Sequence, residues 1–398
     1  MANNLKSFKF TNKADTAISV TGWEVLEGVV INALAGNDII KGTSSTDSGI
    51  GNDGTINTGD GKDTITGTGT GDFYGIGNDG TINTGAGNDR ITGTGGTGIY
   101  NDDGTINTGD GDDIIKGTSS TGSGISNYGT INTGAGNDRI TGTGGTGSGI
   151  YNDDDGTINT GDGDDIIKGT STGSGIFNYG TINTGAGNDR ITGTGGDFYD
   201  IFNCGIFNYG TIKTGDGNDI IKGTVTGGTG GTGIYDGIEN DGTIKTGDGN
   251  DIIKGTGTGS GISNYGTINT GAGNDRITGT GGTGSGIYND DDGTINTGDG
   301  NDIVDALEGG FDGDGTTYLD AGNDTLKGFG TGNFYGGAGT DKLFFGEGTY
   351  VISGSTVVFN GATMNVNQFE KIGGANGGLF TFQDGTLTVS STGVGTFA

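Results

Sequence analysis

The residues most able to do chemistry are aspartates that return at a near-fixed interval: Asp38, Asp63, Asp89, Asp113, Asp138, Asp165, Asp189, Asp219, Asp251, Asp275, Asp302, Asp324 and Asp341. Neighbours lie 22 to 32 residues apart, except for the final pair at 17. Each ends a short glycine-bearing turn, as in Gly134-Ala135-Gly136-Asn137-Asp138. A hard carboxylate in a turn rich in carbonyls suits a hard divalent cation such as Ca²⁺, which takes about six to eight oxygen ligands. Glycine supplies the positive φ angles that such a turn needs.

Several other repeated acids extend the set. Asp60, Asp110, Asp162, Asp216, Asp248 and Asp299 occupy the position between the two turn glycines, where alternate coils carry alanine. They are candidate ligands through their carbonyls, or solvent-facing carboxylates able to bridge neighbouring molecules. Other residue types are missing altogether. The chain has no His, one Cys (Cys204) and no unique grouping of acid and base set apart from the repeat. That argues against a hydrolase or lyase site, which needs a base and an acid in a defined pair.

A period of about 25 residues must be delivered by a solenoid, since self-similarity in this range marks stacked coils that cannot fold singly. Between residues 31 and 304 the unit reads G-I-x-N-x-G-T-I-N-T-G-x-G-N-D-x-I-x-G-T. Three isoleucines recur per coil (Ile125, Ile131 and Ile140 in one), each with polar neighbours. The alternation predicts three short strands per coil, each turning one Ile inward. The fold class expected is all-β: a parallel β-helix or β-roll with about three short strands per coil, capped at both ends. Asn127, Asn152 and Asn178 should form an inward amide ladder at a bend, while Thr130 and Asn132 should face outward. Coils with Arg90 or Arg139 alternate with coils carrying Ile114, which should double the spacing between like charges.

The pattern G-x-G-N-D-x-I-x-G resembles the nonapeptide of RTX (hemolysin-type) calcium-binding proteins. The resemblance spans about residues 34–345, although one nonapeptide per 25-residue coil departs from the family's usual two per shorter coil. It implies calcium in one row between successive coils, held by the thirteen aspartates together with carbonyls of the turn glycines. Those glycines are Gly59, Gly85, Gly109, Gly134, Gly161, Gly185, Gly215, Gly247, Gly271 and Gly298. It also implies export in one step without an N-terminal signal peptide, directed by the C-terminal segment, and hence a location outside the cell or on its surface.

Composition bounds the rest. Of 398 residues 98 are Gly and none is Pro, and the net charge is −31. Absence of proline suits uninterrupted backbone ladders. The acidity disfavours nucleic acid and anionic membranes as partners, and no apolar run is long enough to span a bilayer. The domain order expected is an N-terminal β cap at 1–30 and 25-residue coils over 31–304. Shorter coils follow at 305–345, and 346–398 form a C-terminal β cap and secretion signal. Lengthened coils near Phe198, Tyr199, Phe202, Cys204 and Phe207 could form an aromatic contact patch. The function expected is a secreted, calcium-dependent structural or adhesive rod, self-associating into filaments or layers or binding cell-surface polysaccharide. The alternatives are an ice- or lattice-binding protein using the Thr-x-Asn face, and a polysaccharide-modifying β-helix enzyme.

Overall fold

Three isoleucines per coil are enough apolar surface for a thin core only if each coil lies flat on the next. The computed structural model, which describes residues 2–196, 203–227 and 235–398, shows this arrangement. The chain is a β-solenoid of about 14 turns with roughly 25 residues per turn and three parallel sheets. Among the described residues the only helical element is a 3₁₀ turn at Leu5–Ser7.

One coil illustrates the plan. Thr130–Asn132 lies in sheet 1, Arg139–Thr143 in sheet 2 and Ile150–Asn152 in sheet 3. The parallel strands of successive coils stay in register: Ile106 pairs with Ile131, Ile115 with Ile140 and Ile125 with Ile150. Each inward Ile therefore stacks on its own kind, and all of these are fully buried. Residues flanking the inward Ile point out, because successive strand residues face opposite sides. Thr130 and Asn132 are accordingly half-exposed, as the alternation predicts.

Side chains reinforce the backbone at one corner. From Asn52 to Asn264 each buried amide Nδ2 donates to the Oδ1 of the asparagine one coil on, at 2.7 or 2.8 Å, and Asn289 is the last acceptor. The same Nδ2 also reaches a carbonyl of its own turn, such as Gly129 for Asn127. This is the inward ladder expected from Asn127, Asn152 and Asn178. On the outer face of sheet 2, Arg90, Ile114 and Arg139 are direct neighbours, so the arginines are two coils apart.

Residues 1–30, read above as a cap, already contain the first rungs. Thr16–Ser19 pairs in parallel with Ile39–Gly42, and Trp23–Val25 with Ile50–Asn52. Ahead of them Asn3–Asn4 pairs in parallel with Trp23–Glu24, and the 3₁₀ turn that follows buries Leu5. At the far end Ala362–Asn367 and Lys371–Gly374 continue the parallel sheets. Antiparallel hairpins such as Gly348–Ser353 with Thr356–Phe359 then break the pattern. In the lengthened coil Phe198, Tyr199 and Phe202 lie outside the described residues. Cys204 and Phe207 are buried, and the Phe207 ring stacks on Phe177 with centroids 4.7 Å apart.

Candidate functional site

The corner between sheets 1 and 2 is a left-handed turn that glycine makes most readily, although Leu34 and Asp320 hold its first position at φ of +80° and +63° near the two ends of the row. Gly134 and Gly136 have φ of +100° and +138°, and the equivalent pair recurs in every coil from Gly59 and Gly61 to Gly298 and Gly300. A Cβ on Gly134 would meet the Gly109 carbonyl oxygen well inside contact distance. Two demands thus coincide: left-handed backbone and close stacking of turn on turn. The carbonyls of Gly161 and Gly247 accept the N–H of Ala186 and Ala272 in the following coils. These glycines are explained by the stacking itself, whatever else their carbonyls do.

The turns deliver all thirteen nonapeptide aspartates to a single row along one edge. Each is 0 or 1 % exposed. Each Oδ1 accepts the backbone N–H of the aspartate one coil earlier, as from Asp113 to Asp138 and from Asp138 to Asp165, at 2.7–2.8 Å. The row starts at the Asp15 N–H on Asp38 and ends where Asp341 donates to Glu370 Oε2. Half of every carboxylate is therefore structural. The other half has no hydrogen-bond partner: Oδ2 is buried and unmatched in all thirteen.

Sequence reasoning passed over one component. The threonine ahead of the first turn glycine is buried in coil after coil, and the Thr133 Oγ1 donates to the Thr160 carbonyl at 3.3 Å. The same hydroxyls lie near enough to the aspartates to oppose the rise in their pKa by hydrogen bonding, Thr133 for Asp138 and Thr108 for Asp113. By geometry each donates to the threonine carbonyl of the next coil, which leaves Oδ2 unmatched. Their signal was visible in the Thr-Gly-x-Gly that recurs in every coil from Thr58 to Thr297.

Burial dominates the electrostatics of the row. It raises Asp113, Asp165 and Asp324 to about 7, and like charge in adjacent coils adds to this at each. Asp189, Asp219, Asp251, Asp275 and Asp302 rise to about 6 for the same first reason. Among the described residues no lysine or arginine pairs with any of them, since both ion pairs present involve Asp305. A column of buried carboxylates about 4.8 Å apart must be neutralised, because burying an unpaired charge is costly.

The remaining sequence-derived candidates sit elsewhere on the turn. Asp60, Asp110, Asp162, Asp216, Asp248 and Asp299 are exposed, with their carboxylates outside the buried row. Their carbonyls accept the second turn glycine of the preceding coil, as from Gly136 to Asp162 at 2.9 Å. The residue before each row aspartate forms a parallel outer ladder: Asn137 Oδ1 accepts the Asp164 N–H and Asp164 Oδ1 the Asn188 N–H. The Asn188 N–H and its side-chain amide, both donating to Asp164 Oδ1, hold that carboxyl below its ordinary pKa.

The donor set that results is oxygen only. Among the described residues no three acidic or cysteine side chains converge on one point. A cation here would draw one orphan Oδ2 per coil and fill its shell from carbonyls and water. That suits Ca²⁺, and not a metal that prefers nitrogen or sulfur. A separate groove of about 410 Å³ opens where Gly51 and Gly77 replace the outward aromatics of sheet 3. Its wall is the stacked pair Tyr74 and Tyr100, and Glu24, Asp47, Asp53, Asp79 and Asp102 line it. No family model, no curated protein and no solved structure matches this chain.

Proposed function

We propose that the chain is an extracellular structural rod whose coils are fastened by a row of calcium ions, and that it serves in a surface layer, matrix, filament or adhesin. The observation that carries this reading is the row of thirteen buried aspartates with one unmatched oxygen each. Burying three isoleucines per coil does little against the entropy of ordering some 25 glycine-rich residues. Neutralising the row converts its largest liability into a contribution to folding, because metal bound only by the folded state adds its binding free energy to stability. In a medium poor in calcium the same carboxylates keep the chain open, which fits folding after export. The resemblance of the nonapeptide to RTX repeats points the same way.

The experiment is circular dichroism of the purified chain at neutral pH during a calcium titration after chelation. Strand signal should appear cooperatively with calcium and vanish with excess chelator. Full strand signal in chelator at neutral pH would overturn the calcium switch and leave protonated carboxyls as the neutralising agent. The outward Thr-x-Asn face keeps lattice binding as a rival, since Thr130, Asn132 and their counterparts form an even array over several coils. Lys213 and Lys245 interrupt it in register with Asn183 and Asn269. Thermal hysteresis measured with calcium present separates the two.

A further inference from the structure

In a chain of net charge −31, positive charge is concentrated on one face. The outer surface of sheet 2 carries one cation in each of eight successive coils, from Arg90 to Arg276. Arginine occupies one column and alternates there with isoleucine: Arg90, Ile114, Arg139, Ile166 and Arg190 are neighbours in register. Each isoleucine coil supplies its cation two residues further along, as Lys116 and Lys168 do. Among the described residues only Arg276 of these eight coils has an acidic partner, Asp305 at 2.8 Å.

A separate edge, the turn between sheets 3 and 1, alternates with the same two-coil period. The coil of Arg90 carries Asp102 and Asp103 there, that of Arg139 carries Asp153, Asp154 and Asp155, and that of Arg276 carries Asp290, Asp291 and Asp292. In the coils of Ile114, Ile166 and Ile252 the same corner holds Tyr128, Tyr179 and Tyr265. One fault interrupts both series in the lengthened coils, where Arg190 shares a coil with Tyr209 and Ile220 with Asp241. Asp103, Asp154, Asp155, Asp291 and Asp292 are exposed.

From this match we infer that the basic face of sheet 2 docks on the acidic ridge of a second copy of the chain, the rods parallel and level. Arg90, Arg139 and Arg276 then meet aspartates and Ile114, Ile166 and Ile252 meet tyrosines, while the coils of Arg190 and Ile220 fall out of this match. The inference rests on the rod reading above and names the surface by which rods associate. The axial step favours a second copy over nucleic acid. Coils repeat at about 4.8 Å and nucleic acid strands carry charge every ~3.4 Å, so nucleic acid falls out of step within a few coils while another solenoid of this pitch stays level over eight. Face against ridge is a heterologous contact, which propagates into open layers and does not close.

The test uses the full chain, with folding checked by circular dichroism in each sample. A ridge variant (Asp154→Lys, Asp155→Lys, Asp291→Lys, Asp292→Lys) and a face variant (Arg90→Glu, Arg139→Glu, Arg276→Glu) are compared with the parent. Sedimentation velocity and negative-stain microscopy report association. Parent rods should form side-by-side arrays at low salt and disperse near ~1 M salt, where the screening length falls to about 3 Å. Each variant alone should stay single, and mixing the two should restore arrays. Should the face variant not fold, the ridge variant and the salt dependence still decide. Folded parent rods that remain single at low salt, or variants that still assemble, overturn the inference. So does retention of polygalacturonate by parent rods that do not self-associate, which would make the face a polysaccharide site. Arrays of rods indifferent to chelator would sink the calcium reading alone, and calcium-dependent rods that stay single would sink only this one.

Discussion

At the scale of the residue, the two oxygens of each row aspartate do different work. Asp138 Oδ1 holds the Asp113 N–H, and Oδ2 waits for a neutralising partner. Asp138→Asn keeps an acceptor in the same place and removes the charge. It should raise stability in chelator and lower the number of calcium ions bound by about one, as read by isothermal titration. Asp138→Ala orphans the buried Asp113 N–H and should cost about 1–3 kcal/mol in denaturant unfolding. A second buried acid offers a pH test away from the row. Glu239 is raised from 4.5 to about 7, first by burial and then by Asp236 and Asp241, although the Cys204 thiol donates to it at 3.2 Å. The folded state therefore holds a proton there that the unfolded state releases. Between those two values stability must fall as pH rises, with a slope of at most about 1.4 kcal/mol per pH unit. Glu239→Gln should flatten that part of the profile, and urea unfolding at fixed calcium across the window checks the difference.

At the scale of the element, each short strand is held by ladders on both sides of its Ile. Three residues are too few for a stable strand alone, so in-register side chains fix where each coil stops and bends. Asn127 shows the dependence, since it donates to Asn152 and accepts from Asn101. Asn127→Ala leaves a donor and an acceptor unmatched in a dry corner, and should cost roughly 2–5 kcal/mol, measured by chemical denaturation. The amide ladder, the outward Thr and Asn, and the alternation of Arg with Ile were all legible in the sequence. Each follows from a period of two within a strand and a period of about 25 between strands. The buried threonine column was missed because Thr133 stands next to a glycine turn, where strand alternation says nothing about which side a residue faces.

At the scale of the molecule, the rod is a one-dimensional stack in which each coil touches only its neighbours, so damage should stay local until several adjacent coils are hit. Replacing Asp138, Asp165 and Asp189 together with alanine should split melting into two transitions. It should also open one protease-sensitive site near the middle, detected by limited proteolysis. The sequence by itself determined the solenoid, its three sheets and the placing of the aspartates on a single edge, because strict repetition leaves one way to bury three isoleucines per coil. Tertiary stacking alone decided that one oxygen of each carboxylate is committed to the coil before it. It also decided that the parallel rungs begin within the first thirty residues, at Asn3–Asn4 and Thr16–Ser19. Those facts depend on how far apart and at what angle the coils lie, which repetition along a chain does not record.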